Sequence, residues 1–367
     1  MKIEKISVYQ FDYRIPVVYK LSGGRMFETL DTTIVEMETS DGMVGVGEAC
    51  PFGVCYGSAH ALGVRAGIEE LAPRLIGMDP RGVDRVNDLM DDILPGLDYV
   101  KSALDMACWD ILGKATGLPL YQLLGGHNGK RLPLISSVSA GTPQQMRETV
   151  RSFRSRGYLA HSLKVGGDDP AEDAERVRTV LSDKQPGEMY LLDANRGWTL
   201  EQALRFMALV GPVDACIEAP CRTFRECREF RQRTGIPVSV DEHLTGPEMM
   251  VEVLVQGAAD MVNIKTTKVG GVTKARRIRD ICSEAGLAMS IQETGGSDVA
   301  FAALVHVAQS TRPGLVSHVW DPRELAQESL ASGGPITENG SAVAGNGPGL
   351  GVQLKHHLLG EPVRVYQ

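Results

Sequence analysis

Five ionisable residues in the second half of the chain recur at nearly constant spacing and could share one chemical site. Each stands at the end of a β-rich run, and the separations are 29, 25, 23 and 24 residues along the series Lys164, Asp193, Glu218, Asp241 and Lys265. Such a step accommodates one strand and one helix. Because parallel strands end at the same edge of a sheet, five successive units deliver these side chains to one place.

The three carboxylates of the series predict a metal site. Asp193, Glu218 and Asp241 would repel one another and raise one another's pKa values if they lay within a few ångströms. A hard divalent cation relieves that repulsion, and all-oxygen ligation with room for water and substrate suits Mg²⁺. Zinc is disfavoured because no His or Cys stands at these strand ends. The alternative is that some of these carboxylates pair with neighbouring arginines.

The two lysines predict acid/base chemistry. Lys164 and Lys265, on the second and sixth strands, would face each other across a barrel mouth. A lysine beside a divalent cation and a second lysine has its charged form disfavoured, so it can act as a base. A carboxylate substrate that chelates Mg²⁺ has an acidified α-proton, because the metal stabilises the enediolate formed. A Schiff-base aldolase barrel is the alternative, and it leaves the carboxylates unexplained.

Eight β-rich runs with helix-like segments between them position these residues. The runs lie at 132–140, 159–166, 189–195, 215–220, 237–242, 261–267, 288–294 and 314–320. Only seven helical segments lie between them, so the pattern predicts an α/β fold with a modified (β/α)7β TIM-like barrel. A doubly wound open sheet is the competing interpretation, but eight similar units favour closure.

The rest of the chain predicts a smaller α+β unit. An alternating start and a hairpin over 32–49, turning at Ser40-Asp41-Gly42, precede three helical segments at 60–76, 82–93 and 103–117. We expect a capping domain over 1–125, the barrel over 126–321, and a C-terminal segment over 322–367 that packs on the capping domain.

The composition excludes several function classes. The 367 residues carry a formal net charge of −8, which disfavours a nucleic-acid binder. The chain has no run of about 18 apolar residues and no signal-peptide pattern at its start, so we expect a cytoplasmic protein without a membrane partner. Seven scattered cysteines without CxxC spacing predict neither a disulfide framework nor a zinc knuckle. We expect a homo-oligomer whose ligand is a small-molecule carboxylate.

The motifs around these residues resemble those of the enolase superfamily, in the muconate lactonizing enzyme/mandelate racemase family. The resemblance spans nearly the whole chain through GVGEA (45–49), SLKVGG, LLDANRGW, IEAP, VDEH, NIKTTKVGG and GPGLGV (347–352). It implies that Mg²⁺ is bound by Asp193, Glu218 and Asp241, and that Lys164 and Lys265 form the acid/base pair. One departure is Ser162, because the subgroup often has a lysine two residues before the strand-two lysine.

Within the superfamily, the chain is similar to the cis-3-hydroxy-L-proline dehydratases and hydroxyproline betaine epimerases. LSGGR (21–25), the loop from Tyr56 to His60, AHSLKVGGD and DANRGWT carry this similarity. It implies dehydration of cis-3-hydroxy-L-proline to Δ1-pyrroline-2-carboxylate, 2-epimerisation, or both. The alternative is a proline betaine or 4-hydroxyproline betaine 2-epimerase, or another amino-acid racemase. By this resemblance, Lys164 attacks the L-configured carbon and Lys265 is the general acid.

Five further residues are candidates for substrate contacts. Tyr56 lies in the capping loop and could stack over a ring. Trp320 and Asp321 end strand eight, where an aromatic face and a carboxylate suit an ammonium group. Glu293 and Thr294 end strand seven, where a buried carboxylate could also receive a cation. These residues would suit the ring and the ammonium group of the proline derivative that the resemblance implies.

Each of these assignments has a structural alternative. Tyr56 could be a surface tyrosine, Trp320 could pack in the core, and Glu293 could cap the helix that starts near Ser297. Three more residues are predicted to support the site from behind the ligands and lysines: Asn195, Lys268 and Ser162.

Overall fold

The computed structural model describes residues 1–53, 56–326 and 328–367. The amino-terminal strands form an antiparallel meander of β1 (Ile3–Lys20), β2 (Met26–Thr39) and β3 (Val44–Ala49). The predicted turn at Ser40-Asp41-Gly42 joins β2 to β3, so the hairpin is confirmed. The helices that follow are α1 (Ala61–Leu75), α2 (Val83–Ile93), α3 (Asp98–Thr116) and α4 (Leu120–Leu123).

Helix α3 lies directly against β3 because small residues meet there. A Cβ at Gly47 would stand 1.9 Å from the backbone oxygen of Ala103. A Cβ at Gly45 would stand 2.3 Å from the backbone oxygen of Ala107. Alternate strand positions thus meet helix positions that are one turn apart. Strand and helix backbones touch, which only glycine permits.

Gly47→Val is expected to destabilise the protein by about 3 kcal/mol, because the new side chain overlaps α3. Denaturant unfolding followed by circular dichroism measures the change. Gly82→Ala is the control, since Gly82 has φ −80° and the nearest atom to its Cβ would be 3.7 Å away. Equal stability of the two variants would contradict this packing.

A parallel barrel follows the short strand β4 (Leu132–Pro133). Its strands are β5 (Ile135–Val138), β6 (Ala160–Lys164), β7 (Met189–Asp193), β8 (Cys216–Glu218), β9 (Val238–Val240), β10 (Met261–Lys265), β11 (Ala288–Gln292) and β12 (Val316–Val319). The helices between them are α5 (Pro143–Ser155), α6 (Pro170–Leu181), α7 (Leu200–Val210), α8 (Phe224–Thr234), α9 (Pro247–Val255), α10 (Val272–Ala285) and α11 (Asp298–Gln309). Each barrel strand lies inside the β-rich run predicted for it.

The barrel sheet closes on itself. Its strands pair in sequence order from β5 to β12, and a parallel bridge between Leu134 and Val319 joins the two ends. The predicted α/β fold, a (β/α)7β barrel beside a separate antiparallel unit, is therefore confirmed, and the doubly wound open sheet is excluded. In a closed barrel of eight strands, β6 and β10 lie on opposite sides.

The C-terminal segment contacts both parts of the molecule. A short 3₁₀ helix (Pro322–Leu325) leads from β12 into it. Its elements are β13 (Ala331–Gly333), β14 (Ile336–Glu338), β15 (Ser341–Val343), β16 (Val352–Leu354), α12 (His356–Leu359) and β17 (Arg364–Tyr366). Strand β17 pairs with β1 at the edge of the capping sheet. Strand β15 instead pairs with β4, and β13 and β16 contact α11.

Two buried carboxylates of the capping part bind the N-termini of barrel helices. Glu48 of β3 accepts hydrogen bonds from the backbone N of Ser297 at 2.9 Å and of Ala300 at 3.0 Å, at the start of α11. Asp105 of α3 accepts from the backbone N and the Oγ1 of Thr273 at 3.0 and 2.5 Å, at the start of α10. Unpaired N–H groups and the helix dipole favour a carboxylate there. These bonds dock the capping part on the barrel.

Two expectations from composition concern membranes and cysteines. In the part of the chain that the structure describes, no helix combines the length and apolar character needed to cross a bilayer. The six described cysteines are free thiols. Cys55 lies outside the described residues.

Candidate active site

The carboxyl ends of the barrel strands and two capping loops, which follow β1 and β3, line one cavity. Both predicted lysines line it, on opposite sides of the barrel. The other predicted site residues that line it are Asp193, Glu218, Tyr56, Glu293, Thr294, Trp320 and Ser162. The topology therefore brings most of the predicted set to one place.

The strand register sets the carboxylates side by side. Asp193 faces Glu218 across the β7–β8 ladder, and Asp241 follows directly after β9. All three side chains are buried. Burial, and then the charges of Asp193 and Asp241, raise the pKa of Glu218 well above its ordinary value. The three carboxylates therefore form one electrostatically coupled cluster.

Each lysine is paired with an aspartate of this cluster. Lys164 forms an ion pair with Asp193, and the Lys265 Nζ lies 2.8 Å from Asp241 Oδ2. Burial opposes the charged form, but Asp193 and the other neighbouring groups together outweigh it and raise the pKa of Lys164. The pKa of Lys265 is raised against burial in the same way, by Asp241 together with Glu218 and Glu242. In this arrangement the ammonium forms are favoured; the expectation that a bound metal disfavours them stays a prediction.

The cluster fits a hard divalent cation in its donor chemistry. Its donor atoms are all carboxylate oxygens, and no His or Cys is among the described residues that line the cavity. After burial, the charges of Asp193 and Asp241 contribute to the raised pKa of Glu218, so a cation beside it would favour its ionised form. Among the residues that the structure describes, no three His, Cys, Asp or Glu side chains converge closely enough to hold a metal ion. Asp193 and Asp241 are bound to lysines instead.

Tyr56 reaches from a capping loop to the charged cluster. Its hydroxyl donates to Asp241 Oδ2 at 2.6 Å and accepts from the Lys265 Nζ. That ammonium also lies 4.3 Å from the centre of the Tyr56 ring. Burial, and then the charge of Asp241, raise the pKa of Tyr56, so the phenol stays protonated. Tyr56 is buried, so the surface-tyrosine alternative is wrong.

Asn195 and Lys268 hold the aspartates from outside the cavity. Asn195 donates from its backbone N to Asp193 Oδ1 at 2.9 Å and from Nδ2 to Oδ2 at 3.0 Å. Lys268 donates from Nζ to Asp241 Oδ1 at 2.8 Å. Neither residue lines the cavity, whereas Ser162 does. Asn195 and Lys268 therefore restrict the rotamers of the two aspartates.

Glu293 is a buried carboxylate held by backbone amides. The backbone N of Thr267 donates to its two oxygens at 3.0 and 3.1 Å. Thr294 Oγ1 donates to the backbone oxygen of Cys50 at 2.6 Å, which ties β11 to the capping part. Burial raises the pKa of Glu293 to about 8. Glu48, not Glu293, binds the start of α11, so the helix-capping alternative for Glu293 is wrong.

Glu293→Gln is expected to raise the melting temperature above about pH 8 and to change it little below about pH 4.5. The folded-state pKa of Glu293, about 8, lies above its ordinary 4.5, so the folded protein retains a proton that the unfolded chain releases. The stability from this group is complete below 4.5 and is lost as the pH rises through 8. Calorimetry across this range measures it, with the exposed Glu284→Gln as control. Identical pH profiles of the parent and Glu293→Gln would contradict it.

The structure places Trp320 at the cavity and Asp321 outside it. Trp320 is buried and lines the cavity beside Phe52, with ring centroids 6.3 Å apart. The Asp321 carboxylate accepts from the backbone N of Arg323 at 3.0 Å and pairs with its guanidinium at 2.7 Å. It therefore caps the short helix that follows β12. Asp321 is not among the residues that line the cavity, so the structure does not place it where a substrate contact was expected.

Several residues at the site were not predicted from the sequence, among them Gln292, Glu242, Tyr19 and Phe52. Gln292 lines the cavity and pairs with Lys265 of the neighbouring strand, and ending strand seven two residues earlier would have indicated it. Glu242, beside Asp241, is buried and accepts from Asn195 Nδ2 at 3.2 Å. Two aromatic residues of the capping part, Tyr19 and Phe52, also line the cavity. They carry no local signal, because tertiary packing alone brings them to the barrel mouth.

A closed parallel barrel with charged groups at its strand ends, covered by an α+β unit, defines a capped (β/α)-barrel enzyme. Family models match both parts. Residues 6–125 match the mandelate racemase / muconate lactonizing enzyme N-terminal domain, and residues 145–358 match the enolase C-terminal domain-like family. The chain belongs to the enolase superfamily, in its mandelate racemase/muconate lactonizing enzyme family.

The alignments with three similar proteins cover the whole chain. A cis-3-hydroxy-L-proline dehydratase of Roseibium aggregatum is 40% identical over 367 residues, which cover 100% of both chains. An N-succinyl-L-Arg/Lys racemase of Bacillus cereus is 28% identical and covers 100% of this chain and 99% of its own. A crystal structure of an enolase superfamily member from Roseovarius nubinhibens ISM, complexed with magnesium, has a TM-score of 0.95 at 39% identity. The alignment covers 100% of this chain and 99% of that one.

Proposed function

We propose that this enzyme removes the α-proton of a carboxylate substrate in a Mg²⁺-dependent reaction, and that its substrate is cis-3-hydroxy-L-proline. The observation that carries the proposal is the placement of Lys164 and Lys265. They stand on opposite sides of a closed barrel and line the same cavity. Two such groups can act on opposite faces of one small ring. The 40% identical dehydratase supports the choice of substrate.

Asp193, Glu218 and Asp241 are the residues that would hold Mg²⁺. When bound, the cation supplies positive charge that competes with the lysines for the aspartates and stabilises negative charge on a substrate carboxylate. The all-oxygen donor set and the raised pKa of Glu218 support this role. Magnesium in the structure of the Roseovarius relative supports it as well. Asn195 and Lys268 would keep two of these ligands in place.

The two lysines would divide the proton transfers of an anti elimination. In cis-3-hydroxy-L-proline the α-hydrogen and the 3-hydroxyl lie on opposite ring faces. Lys164, as the free amine, accepts the α-proton, and a C2–C3 double bond forms as the C3–O bond breaks. Lys265, held by Tyr56, donates a proton to the leaving hydroxyl, which departs as water. The cyclic enamine then tautomerises to Δ1-pyrroline-2-carboxylate.

An NMR assay in D₂O with Mg²⁺ tests the substrate. The panel contains proline, cis- and trans-3-hydroxyproline, 4-hydroxyproline and their betaines. We expect cis-3-hydroxy-L-proline to be converted to Δ1-pyrroline-2-carboxylate. The trans isomer is the matched control, because its α-hydrogen and hydroxyl lie on the same face. Unchanged cis-3-hydroxy-L-proline would contradict the dehydratase assignment.

A betaine 2-epimerase is the second candidate, and the aromatic lining favours it. Phe52, Tyr56 and Trp320 line the cavity, and aromatic faces attract quaternary ammonium groups. With no leaving group at C3, the same lysines would move a proton from one face of C2 to the other. Deuterium incorporation with inversion at C2 of proline betaine or 4-hydroxyproline betaine would identify this activity. Its occurrence without dehydration would replace the first proposal.

The Schiff-base aldolase alternative predicts a covalent lysine adduct. It uses one lysine as a nucleophile and gives no role to the buried carboxylates of Asp193, Glu218 and Asp241. Borohydride reduction in the presence of a carbonyl substrate, followed by mass spectrometry, is expected to trap no adduct.

A further inference from the structure

Two arginines fasten the capping loops to one dipeptide of the barrel, Asn195-Arg196. From the first loop, Arg25 donates from Nη2 to the backbone oxygen of Asn195 at 2.8 Å. From the barrel, Arg196 donates from Nη2 to the backbone oxygen of Tyr56, on the second loop, at 2.8 Å. The dipeptide lies just after β7, which ends at Asp193. Both loops over the cavity are thus tied beside a predicted metal ligand.

The backbone of this dipeptide has an unusual conformation. Asn195 and Arg196 have φ values of 43° and 61°, in the left-handed region that costs an L-residue about 1 kcal/mol. Hydrogen bonds hold it there. The backbone N of Arg196 donates to the oxygen of Ala219 at 2.8 Å, and the backbone N of Asn195 donates to Asp193 Oδ1 at 2.9 Å. This turn aims the Arg196 side chain at the capping loop.

The guanidinium of Arg196 also faces a buried carboxylate. Its Nε lies 3.9 Å from Oε1 of Glu242. Neither this Nε nor Glu242 Oε2 has a hydrogen-bond partner among the described residues. A guanidinium carries five donors in a rigid plane, so one side chain can bind the Tyr56 carbonyl and face Glu242 at once. The arrangement requires arginine rather than a single point charge.

We propose that Arg196 is a positioning residue that acts through Tyr56. Its bond to the Tyr56 carbonyl holds the loop so that the phenol stays between Asp241 and Lys265, which it contacts directly. This inference rests on the proposed role of Lys265 as the general acid. Without Arg196, the loop loses its tie to the β7 turn and the Tyr56 hydroxyl leaves its position. A displacement of about 1 Å can lower a rate about 100-fold.

A double-mutant cycle tests the coupling. Arg196→Gln and Tyr56→Phe are each expected to lower kcat/KM for dehydration by about 10- to 100-fold. The kcat/KM of the double variant is expected to be no lower than that of the less active single variant, because both changes remove the same contact. Arg222→Gln is the control, since Arg222 is exposed and lines the same outer cleft as Arg196. A double variant that shows the product of the two single losses would overturn the inference.

Backbone hydrogen exchange gives a readout that does not depend on activity. In Arg196→Gln, exchange of residues 56–60 is expected to accelerate by about tenfold or more, while Arg222→Gln keeps the parent rate. Unchanged exchange overturns the inference whatever the activity. If the parent converts none of the proline compounds, the proposed function fails while exchange still decides the role of Arg196. If Arg196→Gln does not fold, Arg196→Lys replaces it in both measurements.

Discussion

Lys164→Ala is expected to lower the rate of cis-3-hydroxy-L-proline dehydration by about 1000-fold or more, because it removes the base that faces the α-proton. Lys164 lines the cavity from β6, and the other lining lysine, Lys265, stands on the opposite side. Loss of one base therefore leaves its face of the ring without a proton acceptor.

Exchange of the α-proton in D₂O separates this effect from a general loss of activity. In Lys164→Ala, the α-proton of the L-configured substrate should no longer exchange. The α-proton of the D-configured substrate, which faces Lys265, should still exchange. Lys130→Ala is the matched control, because Lys130 is exposed on the surface. Undiminished exchange from the L-configured substrate in Lys164→Ala would remove Lys164 from its proposed role.

Glu218→Gln is expected to weaken Mg²⁺ binding by about 100-fold or more and to abolish dehydration, as EDTA should. The metal-free variant should nevertheless be at least as stable as the parent. The substitution removes one charge from three buried carboxylates, whose repulsion contributes to the raised pKa of Glu218. Glutamine also keeps an oxygen for Asn263 Nδ2, which donates to Glu218 Oε1 at 2.8 Å.

Titration calorimetry with Mg²⁺ and thermal unfolding in EDTA measure the two effects of Glu218→Gln. Glu293→Gln is the control, since Glu293 is a buried carboxylate of the same cavity outside the proposed ligand set. It should bind Mg²⁺ like the parent. Unaltered Mg²⁺ affinity in Glu218→Gln, or a metal-free protein less stable than the parent, would contradict the proposed site.

The barrel and its charged strand ends could be predicted because both are local properties of the sequence. The units of one strand and one helix have similar lengths, so the end of each strand can be located by counting from the end of the preceding strand. The exact end of a strand is less certain. The predicted seventh run ends at Thr294, two residues beyond the end of β11, so Glu293 and Thr294 were named but Gln292, which pairs with Lys265, was not.

The remaining features depend on contacts between distant segments. Tyr19 and Phe52 reach the cavity through the docking of the capping part, which no local pattern encodes. Asp321 follows the eighth barrel strand as expected, but its carboxylate forms an ion pair with Arg323. The protonation of the lysines depends on pair distances of a few ångströms, which spacing along the chain does not determine.

The bonds of Glu48 and Asp105 to the starts of α11 and α10 make the two parts of the molecule thermodynamically inseparable. If either part unfolded alone, two buried carboxylates and the N–H groups at the starts of two barrel helices would lose their partners. The whole chain should therefore melt as one cooperative unit. A capping domain grafted from a relative onto this barrel would have to bring both carboxylates with it, so specificity exchange by domain shuffling is constrained at these two positions.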